Sequence, residues 1–73
     1  MSIIIYLLGG VKMYEKFQQL LDKTHKTAYQ VSKDTGISTA TLSSWKNGNY
    51  IPKVEKLKIL AEYFGVSIEY FLS

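Results

Sequence analysis

TAYQVSKDTGISTATLSSWKNG, residues 27–48, sets a hydroxyl-bearing residue ahead of a short helical pattern twice over, with a glycine between the two patterns. Thr27 is a good N-cap, since its side-chain oxygen can accept a backbone N–H from the first turn of the helix that follows. That helix turns Val31 inward and stops at Gly36, because glycine takes the left-handed conformation that closes helices without a Cβ clash. Ser38 caps the next helix just beyond the turn. In it Leu42 and Trp45, three positions apart, share one inward face, and Asn47-Gly48 ends it. The stretch predicts two short helices packed about a tight glycine turn.

Upstream, Tyr14, Phe17, Leu20 and Leu21 form an apolar stripe among charged and amide residues, which predicts a first helix from Met13, followed by a connector Thr24-His25-Lys26. Downstream, a loop through Asn49, Tyr50 and Ile51 reaches Pro52, near which a fourth helix opens with Val54, Leu57, Leu60, Ala61 and Phe64 on its apolar face. Gly65 closes that helix, and Ser67 caps a last turn from Ile68 to Leu72. Strand and hairpin patterns are missing after Met13, so residues 13–73 read as one all-α domain of about five short helices. Residues 1–12 form an apolar N-terminal extension of different character. Its run Ile3 to Leu8 is too short to span a membrane, which takes about 20 apolar residues. Its β-branched residues suggest a strand that pairs with a second copy. Alternatively, Gly9-Gly10-Val11-Lys12-Met13 is what a bacterial ribosome-binding site looks like when translated, which would make Met13 the true start.

Seventy-three residues and 8.3 kDa leave no room for a separate catalytic domain, which excludes most enzymes. An apolar content of 47% still supports a compact core. The chain has no cysteine, so disulfide frameworks and thiol chemistry are out, and a reducing, cytoplasmic setting is expected. His25 has no second histidine near it, and the carboxylates of Glu15, Asp22, Asp34, Glu55, Glu62 and Glu69 are dispersed, so neither a metal site, a cofactor nor a catalytic group is expected. A net charge of +3 and a pI near 9.2 suit a polyanionic partner.

The helix pair of residues 27–48, with Val31, Gly36, Ile37-Ser38, Leu42, Trp45 and Asn47-Gly48 in their places, is similar to the Cro/CI-type helix-turn-helix proteins, the lambda-repressor-like bacterial and phage regulators. The likeness covers residues 13–72 and includes Pro52 and the run VEKLKILAEYFGVSIEYFL at 54–72, with its Gly-Val-Ser junction. It implies a lambda-repressor-like fold and binding of double-stranded DNA, with the third helix in the major groove. The outward residues of that helix are Thr39, Ala40, Ser43 and Ser44, and the resemblance implies that Thr39, Ala40 and Ser44 face the bases. None is Arg, Lys, Asn or Gln, so bidentate contacts to guanine or adenine are missing there. Thymine methyl contacts and adaptable hydroxyls remain, which predicts AT-leaning sites read partly through DNA shape.

Thr27 and Ser38 sit beside helix N-termini, which attract phosphate. The resemblance places Ala28, Asn47, Asn49 and Lys53 where DNA-backbone contacts are usual, with Lys46 in the same set and Lys33 and Tyr50 as additions. Two departures stand out. Many relatives carry glutamine at the position of Ala28, so here Tyr29 or Gln30 would have to supply any side-chain contact. Many also pair an arginine on the first helix with a glutamate near the end of the third, where this chain has Leu21 and Lys46. Losing both together avoids an unpaired buried charge and frees Lys46 for phosphate.

The reading is a small Cro-like repressor acting by occupancy, as a homodimer on two half-sites and without membrane contact. Tyr63, Val66, Ile68, Tyr70, Phe71 and Leu72 are the candidate dimer interface, the alternative being that they finish the core. Two rivals stay open: a helix-turn-helix module that binds another protein, and the antitoxin of a toxin-antitoxin pair.

Overall fold

The computed structural model describes residues 2–72, with side chains from residue 12 onward. Five helices follow one another among the described residues: α1 (Ser2–Thr24), α2 (Ala28–Thr35), α3 (Thr39–Lys46), α4 (Val54–Phe64) and α5 (Glu69–Leu72). The fold is all-α, as the periodicity implies.

The first helix differs from expectation at its start, because α1 runs unbroken from Ser2 through Met13 where the isoleucine run suggested a strand. The physical reason is propagation. A helix already nucleated by residues 13–24 extends at the cost of one residue's freedom per hydrogen bond, and a short β-branched run resists only weakly. The side chains of residues 1–11, and with them the strand-pairing interface placed on the run from Ile3 to Leu8, lie outside the described residues.

The helix ends explain the connections. At the end of α1 the N–H of Lys26 bonds to the Leu21 carbonyl at 3.0 Å and that of His25 to Asp22 at 3.4 Å, the paired bonds of a Schellman turn. His25, within what the sequence alone reads as a plain connector, occupies its left-handed position with φ 56°. α2 ends at Gly36 (φ 83°), whose N–H bonds to the Ser32 carbonyl at 2.9 Å. α3 ends in a full Schellman turn, with Gly48 N–H on Trp45 and Asn49 N–H on Ser44, at 3.0 and 2.8 Å. α4 repeats that arrangement at Gly65-Val66. Ser67 caps the last turn by accepting the Glu69 N–H at 3.2 Å, so α5 begins at Glu69.

One core joins the five helices. Phe17, Leu20 and Leu21 of α1, Val31 of α2, Ile37 of the turn, Leu42 and Trp45 of α3, Leu57, Leu60 and Ala61 of α4, and Phe71 of α5 are all buried. Each large side chain so removed from water contributes about 1.5–3 kcal/mol. At its centre Trp45 lies 5.3 Å from Phe17 and 6.4 Å from Phe71 between ring centroids, which makes it a packing residue rather than an exposed stacking platform. Leu21, at 4% exposure, is part of this apolar core. Two tyrosine hydroxyls tie the helices across the surface: Tyr63 donates to the Asp34 carboxylate, and Tyr70 donates to Gln19 Oε1 at 3.2 Å. Among the described residues, no helix is long and apolar enough to cross a membrane.

Candidate nucleic-acid interface

The surface formed by α2, the turn and α3 is built by its caps. Thr27 and Gln30 bond reciprocally: the Gln30 N–H donates to Thr27 Oγ1 at 3.2 Å, and the Thr27 N–H donates to Gln30 Oε1 at 2.9 Å. This capping box fixes the start of α2 and occupies Thr27 Oγ1 and Gln30 Oε1. Ala28 and Tyr29, the next two residues, carry N–H groups with no acceptor one turn earlier in the helix. At α3 the Thr41 N–H donates to Ser38 Oγ at 3.1 Å, and the two hydroxyls lie 2.9 Å apart. Between the caps, Thr35 Oγ1 donates to the Val31 carbonyl at 2.7 Å and accepts the Ile37 N–H at 3.3 Å. With Ile37 buried beneath it, the turn is held from both sides, and α3 leaves it in one fixed direction.

The residues read as base-facing occupy the outer side of α3. Thr39, Ala40 and Ser43 are exposed, and Ser44 is half-buried. Leu42 and Trp45 on the opposite side anchor the helix to the core. An α-helix with side chains is about 10–12 Å across. Small side chains outward keep α3 slim enough for a groove ~12 Å wide. Lys46, Asn47, Asn49 and Lys53 are all exposed and follow one another from the end of α3 to the start of α4, with Lys53 the cap residue of α4. Lys33, in the last turn of α2, is exposed as well. Tyr50 is half-buried and packs against the core, so it serves the fold first. Ala28 is likewise half-buried against the core.

Of Tyr29 and Gln30, the two side chains that could stand in for a glutamine at position 28, Gln30 gives its Oε1 to the capping box and Tyr29 is 68% exposed. The signal was present in the sequence, since a Thr with Gln three positions on is a capping-box pattern.

The residues read as a dimer interface divide. Phe71 belongs to the core, at 2% exposure, because its ring closes over Trp45. Tyr63 and Tyr70 spend their hydroxyls on Asp34 and Gln19, and their rings lie under Lys26 Nζ and Lys16 Nζ, each at 5.4 Å. Val66 and Ile68 are half-buried against the core, and Leu72 is 60% exposed. The core-finishing alternative therefore describes Phe71, and Leu72 remains the outward apolar member.

A helix-turn-helix family model matches residues 17–71, which is most of the chain, and the chain belongs to that family. The HTH-type transcriptional activator BcrR of Enterococcus faecalis is 34% identical over 59 residues. That alignment covers 81% of this chain but 29% of the relative, so the chain spans under a third of that protein's length. No solved structure shows a significant match.

Proposed function

We propose that this chain is a sequence-specific double-stranded DNA-binding transcriptional regulator, with α3 as its recognition helix. The observation that carries the reading is the capped α2–turn–α3 unit, whose inner face is locked into the core while Thr39, Ala40 and Ser43 stand outward at the start of a slim helix. The likeness to a transcriptional regulator supports it. Lys46, Asn47, Asn49 and Lys53 flank α3 as phosphate contacts, and the caps Thr27 and Ser38 set the helix ends beside which phosphate is drawn. Regulation follows from occupancy: a domain seated in the groove excludes other proteins from the same base pairs, which makes repression the proposed direction. The proposed assembly is a homodimer, and the proposed setting is the cytoplasm, where its DNA lies. No catalytic step is proposed.

The test is a titration of fluorescent duplexes, one from the region upstream of the gene and one of random AT-rich sequence, at two salt concentrations. The upstream duplex should bind tighter, and a Thr39→Ala/Ser44→Ala variant should lose that preference while keeping the salt-sensitive background. Lys46→Ala should lower the slope of log affinity against log salt by about one. Equal weak binding of both duplexes by the wild type would instead point to a protein-binding module.

A further inference from the structure

We infer that Thr35 is a positioning residue for the reading of DNA sequence, its hydroxyl setting the direction in which α3 leaves the turn. The inference rests on the DNA-binding reading above and deepens it, with no contact to DNA assigned to Thr35 itself. The helix ends show what this hydroxyl does. After α1, α3 and α4 the N–H of the residue following the left-handed one returns to the carbonyl five positions back: Lys26 to Leu21, Asn49 to Ser44 and Val66 to Ala61, at 3.0, 2.8 and 3.0 Å. After α2 it does not. There the Gly36 N–H engages the Ser32 carbonyl at 2.9 Å, and the Ile37 N–H donates instead to Thr35 Oγ1 at 3.3 Å. The same hydroxyl donates to the Val31 carbonyl at 2.7 Å.

One side chain thus spans the softest joint of the turn. Gly36 lacks the Cβ that would restrict its backbone, so rotation about its ψ swings the next peptide and everything beyond it. The Ile37 N–H belongs to that rigid peptide. Held by a hydroxyl that is itself anchored to α2 through Val31, it keeps the peptide in one orientation. Beyond it Ile37 is buried at 3% exposure, and Ser38 accepts the Thr41 N–H, so the orientation passes to α3 as to a rigid piece. Without the hydroxyl the Ile37 N–H loses its acceptor, and the nearest remedy is the five-back bond, to Ser32, that the other helix ends use. That bond turns the peptide after Gly36 and re-aims Thr39, Ala40 and Ser43.

The experiment titrates wild type, Thr35→Val, Thr35→Ser and Thr24→Val on the two duplexes above, at a temperature well below every melting point. Valine keeps the shape and the β-branch without the hydroxyl, and serine keeps the hydroxyl. Thr24→Val is the matched control: Thr24 Oγ1 makes the same bond back one turn, to the Leu20 carbonyl at 2.7 Å, but at the end of α1. Thr35→Val should cut the preference for the upstream duplex at least about five-fold, the worth of one mismatched base pair. Its affinity for the random duplex and its salt slope should stay unchanged, because the lysines proposed to meet phosphate are untouched. Thr35→Ser should restore the preference, and Thr24→Val should keep it even if its melting point falls. A Thr35→Val preference equal to that of wild type overturns the inference. So does an equal loss on both duplexes, a serine variant that restores nothing, or the same loss of preference in Thr24→Val. Wild type that binds both duplexes alike removes the sequence-reading function together with the inference, whereas the first result removes the inference alone.

Discussion

Tyr14 lies against Phe17 and Trp45, with centroid distances of 5.4 and 5.2 Å, and burial raises its phenol above the ordinary pKa of 10.0. Burial disfavours the phenolate, so the unfolded chain gives up this proton at lower pH than the folded one does. The contribution to stability is therefore full below pH 10 and is lost as pH rises through the raised folded-state value. Melting temperature should fall more steeply for wild type than for Tyr14→Phe between about pH 9 and 11. Parallel curves would show that the phenol is as well solvated folded as unfolded. Residues on a regular face were legible in this way from spacing alone: Val31, Leu42 and Trp45 are buried where the helical period puts them. Phe71 was not. In a four-residue helix of densely apolar sequence, period carries too little information to separate core from surface, and only packing against Trp45 decides.

Helix ends were legible wherever glycine marks them. Gly36, Gly48 and Gly65 take positive φ, and a Cβ at any of them would meet open space, so backbone conformation alone selects glycine there. The end of α1 makes the same left-handed turn with His25, and the absence of glycine is why the turn could not be read from sequence. A non-glycine residue in that region costs about 1–2 kcal/mol, partly offset because glycine gives the unfolded chain more freedom. His25→Gly should therefore stabilise the protein by about 0.5–1 kcal/mol in urea unfolding. Gly36→Ala should have the opposite sign, at about 1 kcal/mol. If His25→Gly is neutral or destabilising, the imidazole makes a compensating interaction that outweighs its backbone strain. The start of α1 was illegible for a different reason, since propensity describes a residue alone, whereas Ser2–Val11 inherits its conformation from the helix it continues.

A single copy carries one α3, the proposed recognition helix, and the shorter axes of the molecule measure 24 and 22 Å. Half-sites one helical turn apart are ~34 Å from centre to centre, so two copies fit side by side and one copy cannot read both. The surface proposed to join them lies between α1 and α5, where a groove of about 440 Å³ is lined by Lys12, Met13, Glu15, Lys16, Gln19, Phe71 and Leu72. Leu72 stands at its edge, outside the core and 60% exposed. The proposed homodimer sets Leu72 of each copy against the groove of the other in a two-fold contact. Burying one leucine contributes about 1.5–3 kcal/mol, and symmetry counts it twice. Leu72→Glu should thus raise the dimer dissociation constant at least about a hundred-fold and leave the melting of the monomer unchanged. Mass in solution, read by light scattering across a concentration series, checks this. DNA affinity should fall with it, because two half-sites are no longer held by one particle. If Leu72→Glu stays dimeric while removal of residues 1–12 yields monomer, the N-terminal turns of α1 join the copies instead. If the wild type is monomeric at every concentration, each half-site must be bound independently, and the isotherm on a two-half-site duplex will show no gain over a single half-site.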